Sequence, residues 1–401
     1  MPHETVSRRE WLAASGLATL AACAGNTTPN AGTTATLPTK GGESIDDLLR
    51  LATVPGLSIA TVRGAELTVE GFGVKRAGAT GATDRVTGDT VFEAASLSKP
   101  VFASVVMQLA AEGVIDLAKP LGQYLELPNS TDERAKLITA THVLSHSGGW
   151  RNWRNNRETA LTSDFEPGFR FSYSGEGYFF LQRVVEKLTG KGLMRLTRER
   201  VLDPLGMRSS SFLWRPDLDA AIAPPHSNRG QPADSFHARM AKGYLALATE
   251  LGKPIDDWAT GDAEKALARV DANVPVLPNF LLPNAAASLL TTARDYGTFV
   301  RWLLGAGPVQ GGRAVLDRMM VQRSTINDAL GWGSGIGLEQ ADGRRFLWHW
   351  GDNQGYKNFV LAEPAAGTAM VIFTNGNAGQ RVYERVIRAR TGVDHPAFLW
   401  L

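Results

Sequence analysis

The segment from Phe92 to Pro100 reads FEAASLSKP and holds a serine, Ser96, three residues before a lysine, Lys99. It lies where a β-prone stretch gives way to the first long amphipathic helix, whose apolar positions follow a helical period from Phe102 to Ala110. A proline is tolerated only in the first turn of a helix, so Pro100 predicts that this helix begins near Ser96. Residues three apart share a helix face, which would bring the hydroxyl and the amine together.

This pair predicts nucleophilic catalysis. A hydroxyl is a poor nucleophile until a base takes its proton, and a lysine whose charge is disfavoured by burial can act as that base. A helix N-terminus also favours the negative charge that develops on the oxygen. A Ser-x-x-Lys pattern occurs about once by chance in a chain of this length at average residue usage, so the surrounding sequence has to support the assignment.

Strand patterns lie at both ends of the chain, with helical patterns between them. GLSIATV and ELTVEGF flank Arg63-Gly64 as a predicted hairpin, and Asp342-Gly343 is a strong turn signal between GIGLEQ and RRFLWHW. This predicts an α/β (α+β) fold: an antiparallel β-sheet formed by N- and C-terminal segments, flanked by helices, with a mostly helical subdomain inserted at about 101–310. Catalytic groups are expected where the sheet and the inserted helical subdomain meet.

The composition excludes several classes of protein. The chain has 401 residues, of which 43% are apolar and 20% charged, and a single Cys. An apolar share this large supplies a packed core, and one thiol cannot form an internal disulfide, so low-complexity, collagen-like and disulfide-scaffold proteins are excluded. The net charge is +2, from 42 basic and 40 acidic residues. We expect no nucleic-acid partner, since neither sign of charge is in broad excess.

The N-terminus has the layout of an export signal. Arg8-Arg9 precedes a mildly apolar run too short to span a bilayer, and the surrounding letters resemble the twin-arginine motif. Leu20 to Cys23 resembles the lipobox of bacterial lipoproteins, in which the cysteine is acylated. We therefore predict an export signal at 1–22, lipidation of Cys23, a flexible tether at 23–41 and a hydrolase domain at 42–401. The protein would be anchored on the periplasmic side of a bacterial membrane.

From about Gly56 to about Asn375 the chain resembles the penicillin-recognising serine hydrolases, in the branch that holds class C β-lactamases, D-alanyl-D-alanine carboxypeptidases and related esterases. The resemblance rests on five segments in the family's order and spacing. These are FEAASLSKP, THVLSHSGGW, PGFRFSYSGEGYFFLQRVVEKLTG followed by DPLGM, NAAASLLTTARDY and LWHWGDNQGY. It implies a β-lactamase/transpeptidase-like fold with Ser96 as nucleophile.

The family's second motif is Tyr-x-Asn, and here it reads Tyr173-Ser174-Gly175. A phenol beside the Ser96-Lys99 pair can pass the proton from nucleophile to leaving group. Which of Lys99 and Tyr173 is formally the base stays open, because such close groups titrate as a pair. Family members that recognise a peptide-like amide use the Asn side chain, so Gly175 at this substrate-binding position favours esters.

The third motif is Lys-Thr-Gly or His-x-Gly in the family and reads His349-Trp350-Gly351 here. The resemblance implies that His349 is a catalytic residue that positions substrate and tunes the site. It also implies an oxyanion hole from the backbone N–H groups of Ser96 and Asp352, with Gly351 letting the substrate approach the backbone. Trp350 would make the edge of the site that faces the substrate apolar.

We therefore predict a serine hydrolase that forms an acyl-enzyme on ester, amide or lactam carbonyls and is most similar to the family's esterases. A D-alanyl-D-alanine carboxypeptidase or class C-type β-lactamase acting on a cell-wall peptide or lactam is the first alternative. A non-catalytic cell-wall-binding lipoprotein with the same fold is the second. The resemblance implies no cofactor and no metal.

Three other segments could have a functional role, which is either disfavoured by the sequence or left open by it. His142 and His146 have a zinc-compatible spacing, but HVLSH lacks the Glu of a metalloprotease, so a structural role is expected. The segment from Trp150 to Arg157 interleaves aromatic and basic residues and is either a lip of the catalytic cleft or a solvated loop. Residues 226–271 match the family weakly and are a candidate insertion that shapes substrate entry.

Overall fold

The protein is described by a computed structural model that covers residues 44–154, 159–270 and 283–401. The strands are β1 (Gly56–Arg63), β2 (Glu66–Gly73), β3 (Val91–Glu93), β4 (Leu290–Thr292), β5 (Ser324–Thr325), β6 (Leu330–Trp332), β7 (Gly337–Ala341), β8 (Arg344–Asn353), β9 (Tyr356–Glu363) and β10 (Thr368–Thr374). The main element is an eight-stranded antiparallel sheet in the order β2-β1-β10-β9-β8-β7-β6-β5, and β3 pairs with β4 in a separate two-stranded sheet.

The two ends of the chain meet in this sheet. β1 pairs with β10 from Leu57 opposite Thr374 through to the other end of both strands. The predicted hairpins are confirmed: Gly64 turns between β1 and β2 with φ 57°, and Asp342 and Gly343 turn between β7 and β8 with φ 49° and 71°. Two successive left-handed residues match the right-handed twist of the flanking strands.

The α-helices lie mostly between β3 and β5. They are α1 (Ile45–Ala52), α2 (Ser98–Ala111), α3 (Glu133–Lys136), α4 (Ala140–Leu144), α5 (Gly175–Thr189), α6 (Leu193–Thr197), α7 (Phe236–Glu250), α8 (Thr260–Val270), α9 (Ala293–Leu303), α10 (Gly312–Met319), α11 (Gly379–Thr391) and α12 (Pro396–Trp400). Helices α5 and α11 end at glycines in the left-handed conformation, Gly190 and Gly392.

Helices cover both faces of the sheet. Alternate residues along β1 belong to different cores: Leu57 and Ile59 pack with α1, α11 and α12, while Ala60 and Val62 face the core that contains α2 and α9. The fold is therefore the predicted one, an antiparallel sheet built from both ends of the chain and flanked by helices. The boundaries of the helical subdomain, at about 101 and 310, stay a prediction.

The predicted export signal, Cys23 and the tether all lie outside the described residues. Within the described ranges, no helix combines the length and the apolar character needed to cross a membrane.

Candidate active site

A short helical turn presents Ser96 at the start of α2. Ala95–Leu97 forms a 3-10 turn that runs directly into α2, so the helix begins close to the predicted position. Ala95 is fully buried with φ 52°, a backbone conformation that is strained for a residue with a side chain. The Ser98 hydroxyl donates to the carbonyl of Ala95 at 2.6 Å and accepts from the N–H of Leu289 at 2.9 Å. These contacts hold a turn in which Ser96 is partly exposed while its neighbours are buried.

Lys99 lies beneath this turn. Its Nζ is 3.1 Å from Ser96 Oγ, and it donates to the carbonyl of Ala286 at 2.8 Å. The same nitrogen is 4.6 Å from the centre of the Tyr173 ring. The side chain is 1% exposed, and this burial holds the pKa of the amine well below its usual range. The predicted contact between Ser96 and Lys99 is therefore present, with the lysine in a setting that favours its neutral form.

Tyr173 reaches the same point from a distant segment, and His146 fixes it there. The carbonyl of His146 accepts from the N–H of Ser172 at 2.6 Å, and its Nδ1 accepts from the N–H of Ser174 at 3.1 Å. The His146 ring also lies 4.2 Å from the Tyr173 ring, measured between centres. His146 thus holds the backbone on both sides of Tyr173, a role that the sequence argument did not assign to it.

The Tyr173 ring is partly exposed, but its hydroxyl is buried and makes no direct hydrogen bond with the described residues. Burial raises the pKa of this phenol strongly, and the negative charge of Asp352 adds to the rise. The nearby Ser96 hydroxyl acts in the opposite direction and lowers the pKa. The phenol is therefore protonated at neutral pH and can donate a proton.

His349, on β8, is fully buried and uncharged. Burial, with the charge of Lys99 as a second cause, lowers the pKa of His349 to about 3. Its Nδ1 lies 2.7 Å from the carbonyl of Trp350 and so must donate to it, which leaves Nε2 as an acceptor with no hydrogen-bond partner among the described residues. Because no part of the ring reaches solvent, His349 can influence Lys99 but does not line the open cleft.

Gly351 brings β8 against the nucleophile turn. A Cβ at this position would lie 2.3 Å from the carbonyl oxygen of Ala94, so only glycine permits the approach. The next residue, Asp352, therefore has its backbone close to the turn, while its exposed carboxylate pairs with Lys357. Trp350, which directly precedes Gly351, packs on Tyr173 with 4.8 Å between the two ring centres. The structure thus brings Tyr173 of the second motif together with Trp350 and Gly351 of the third, whereas the buried His349 does not reach the cleft to position substrate as predicted.

Gly175 differs from the expectation in one respect, since it is not an open substrate-binding position. A Cβ on Gly175 would lie 2.4 Å from the Trp153 ring, so the indole occupies the space that the Asn side chain of the family motif needs. The N–H of Gly175 donates to Oδ1 of Asn152 at 2.8 Å. Replacement of Asn by Gly in this motif is therefore matched by a tryptophan from a separate loop.

The interleaved segment is largely packed over its described part, although Arg151 is exposed. Trp150 is 1% exposed and packs on Phe180, and Arg154 is buried in an ion pair with Glu176 at 2.7 Å. Together with the position of Trp153 over Gly175, this favours the interpretation as a lip of the cleft. Residues 155–158 lie outside the described residues.

The two histidines of HVLSH do not converge. His142 takes part in a capping box with Thr139 at the start of α4, and His146 supports Tyr173. Nowhere in the described ranges do three or more His, Cys, Asp or Glu side chains form a group that could hold a metal ion.

An antiparallel sheet flanked by helices, with a serine, a buried lysine and a tyrosine at their seam, defines a serine hydrolase of the Ser-x-x-Lys class. Residues 45–392 match the sequence model of the family described as Beta-lactamase. The chain therefore belongs to the beta-lactamase family and is a serine hydrolase.

Relatives and solved structures agree with this assignment. The chain is 28% identical to penicillin-binding protein 4 of Amycolatopsis lactamdurans over 87% of its own length and 88% of that protein's. It is 29% identical to esterase EstB of Burkholderia gladioli, over 42% of this chain and 52% of the esterase. The fold is similar to that of a beta-lactamase/D-alanine carboxypeptidase from Pseudomonas syringae, with a TM-score of 0.66, 16% identity, and coverage of 86% of this chain and 95% of that one.

Proposed function

We propose that this hydrolase cleaves carboxylic esters that carry no charged group, through an acyl-enzyme on Ser96. The observation that carries the proposal is the 3.1 Å separation of Lys99 Nζ and Ser96 Oγ at the exposed turn. In acylation, Ser96 Oγ forms a bond to the carbonyl carbon and loses its proton to the neutral amine of Lys99. The carbon–oxygen bond of the ester breaks as a proton is delivered to the departing alkoxide from the Lys99–Tyr173 pair. Water then attacks the acyl-enzyme, and the acid leaves.

The oxyanion of both steps would be held by the backbone N–H groups of Ser96 and Asp352. The close packing of Gly351 against Ala94 supports this, since it sets the two backbones side by side. One such donor typically contributes about a hundred- to a thousand-fold in rate. His349 would act as a positioning residue, because its uncharged ring lies beside Lys99 without reaching solvent.

Two features support esters over peptides and lactams. Trp153 fills the space where the family's Asn would hold a peptide-like amide. Position 349, a lysine in many members, holds a histidine that is neutral at pH 7, and Lys357 is paired with Asp352. A carboxylate on the substrate thus finds no positive charge at either position. Among the relatives, esterase EstB and lovastatin esterase of Penicillium rubens are named as esterases.

The nucleophile can be tested with a fluorophosphonate probe. Ser96→Ala should lose labelling while keeping the fold, measured by circular dichroism. Ser104→Ala is the matched control, because Ser104 is a buried serine of α2 whose hydroxyl donates to the carbonyl of Val101, away from the site. Labelling of Ser96→Ala at the wild-type rate would exclude Ser96 as the nucleophile and with it the proposed mechanism.

The class of substrate can be tested by comparing turnover of an ester, a lactam and a peptide. We expect turnover of p-nitrophenyl butyrate to exceed that of nitrocefin and of a D-alanyl-D-alanine peptide. Faster turnover of either of the latter two would favour the lactamase or carboxypeptidase activity. Failure to form or release an acyl adduct with any of them would favour a binding protein that has kept the fold.

We also propose that the protein is exported and anchored to a membrane by a lipid on Cys23. The support is the arrangement of basic, apolar and small residues before this cysteine. Incorporation of labelled palmitate that is lost in Cys23→Ser would bear this out. Equal incorporation by both proteins, or none by either, would oppose it.

A further inference from the structure

Three aromatic side chains continue outward from the Tyr173 ring, and we call them the aromatic shelf: Phe171, Trp350 and Trp400. The centre of the Trp350 ring is 4.8 Å from that of Tyr173, and the Trp400 ring is 5.5 Å from Trp350 and 5.7 Å from Phe171. Phe171 and Trp350 are partly exposed, and Trp400 is 36% exposed. The shelf therefore forms a continuous apolar surface that begins at the phenol of the site and ends in solvent.

Trp400 is held in this position by the buried base of α12. His395 Nδ1 lies 2.7 Å from Oε1 of Glu339 with both side chains fully buried, and the N–H of Ala397 donates to the same carboxylate at 3.3 Å. Phe398 packs on Phe359 at 4.9 Å between ring centres. These contacts fix the short helix against the sheet, so the Trp400 ring is placed by the fold.

The shelf adjoins Tyr173, which takes part in delivering the proton in the proposed reaction. In the proposed reaction Tyr173 takes part in protonating the departing oxygen, so the group that leaves lies next to the Tyr173 hydroxyl. The Trp350 ring packs on the Tyr173 ring, and the Trp400 ring packs on Trp350. The substrate portion that contacts them is therefore the alcohol portion of the ester and not its acyl portion.

We propose that the aromatic shelf binds the alcohol portion of the substrate and that this portion is an aryl group. This inference rests on the proposed ester hydrolysis and names its leaving group. Phe171 and Trp350 meet Trp400 edge-on, with interplanar angles of 79° and 75°, so the exposed surface combines ring edges and faces. Flat rings pack on such surfaces in offset or edge-to-face arrangements that a small alkyl group cannot match.

The test uses two esters with the same acyl group, 2-naphthyl butyrate and ethyl butyrate. In Trp400→Ala we expect kcat/KM for the naphthyl ester to fall about three- to tenfold, the value of one aromatic contact, and that for the ethyl ester to stay the same. The deacylation rate should not change, because both esters leave the same butyryl-enzyme after the alcohol has gone. Trp400→Phe should recover most of the activity on the naphthyl ester.

Leu399→Ala is the matched control, because Leu399 is adjacent to Trp400, 94% exposed and outside the shelf. It should leave both esters unaffected. Equal losses on both esters in Trp400→Ala would mean that the residue only stabilises α12, and unchanged kinetics would mean that the shelf does not touch the substrate. Either result overturns this inference, while loss of labelling in Ser96→Ala would still support ester hydrolysis.

Discussion

Acid should destabilise the protein through His349, and the size of the effect follows from its burial. The pKa of His349 is about 3 in the folded chain and about 6.5 when the side chain is in water. Below pH 6.5 the unfolded chain therefore takes up a proton at this position that the folded chain does not accept. Stability contributed by neutral His349 is complete above pH 6.5 and is lost as the pH falls from 6.5 toward 3.

At pH 4.5 the solution is about two units below the ordinary pKa, and each unit corresponds to about 1.4 kcal/mol, so the loss from His349 alone is about 3 kcal/mol. His349→Gln removes the titrating group while keeping a polar side chain in the cavity. This variant should start less stable at pH 7, because a buried contact is lost. Its stability should then fall less steeply than that of the wild type between pH 7 and pH 4.5.

Urea unfolding followed by tryptophan fluorescence at both pH values measures this difference. Other titrating groups contribute in both proteins and largely cancel. His142→Gln is the comparison variant, since His142 is only partly buried and should alter the slope less. Parallel losses of stability in wild type and His349→Gln would refute the assignment of a buried, neutral imidazole at this position.

Three further substitutions test the site and its support. Lys99→Met should lower the acylation rate about 10²- to 10⁴-fold in a burst assay, since on the proposed mechanism it removes the base. It should not lower the thermal unfolding midpoint in calorimetry, since it also removes an amine that is costly to bury. Gly175→Asn should cost about 1–3 kcal/mol in urea unfolding because its Cβ meets Trp153, and Trp153→Ala in the same chain should recover most of that loss. Arg154→Met should cost about 3–5 kcal/mol in the same assay, because it breaks the buried ion pair between Arg154 and Glu176.

Local rules were enough to predict much of the fold and the centre of the site. The spacing of Ser96 and Lys99 depends only on helix geometry, and Asp342-Gly343 specifies its turn by itself. That both ends of the chain share one antiparallel sheet followed from strand patterns at the two ends of one domain. Each of these features is determined by residues that are close in sequence or by the order of strand and helix patterns along the chain.

The missed features depend on contacts between distant segments. His146 occupies a left-handed conformation, with φ 53°, and bonds to residues 26 and 28 positions later in the chain. Trp153 covers Gly175, and the sequence shows the missing Asn but not what replaces it. Trp400 contacts Trp350 from a short helix that is held where His395 pairs with Glu339 inside the core. The periodicity of apolar residues in the sequence does not encode such contacts between distant segments.

The buried groups of the site share one electrostatic property. Burial lowers the pKa values of Lys99, His146 and His349 and raises that of Tyr173. When Lys99 is protonated, its charge further lowers the pKa values of both histidines. All four are therefore favoured in their neutral forms. On the proposed mechanism, a proton taken from Ser96 enters a region where positive charge is disfavoured, so its transfer to the departing alkoxide is favourable. Activation of the nucleophile and departure of the alcohol are coupled for this reason.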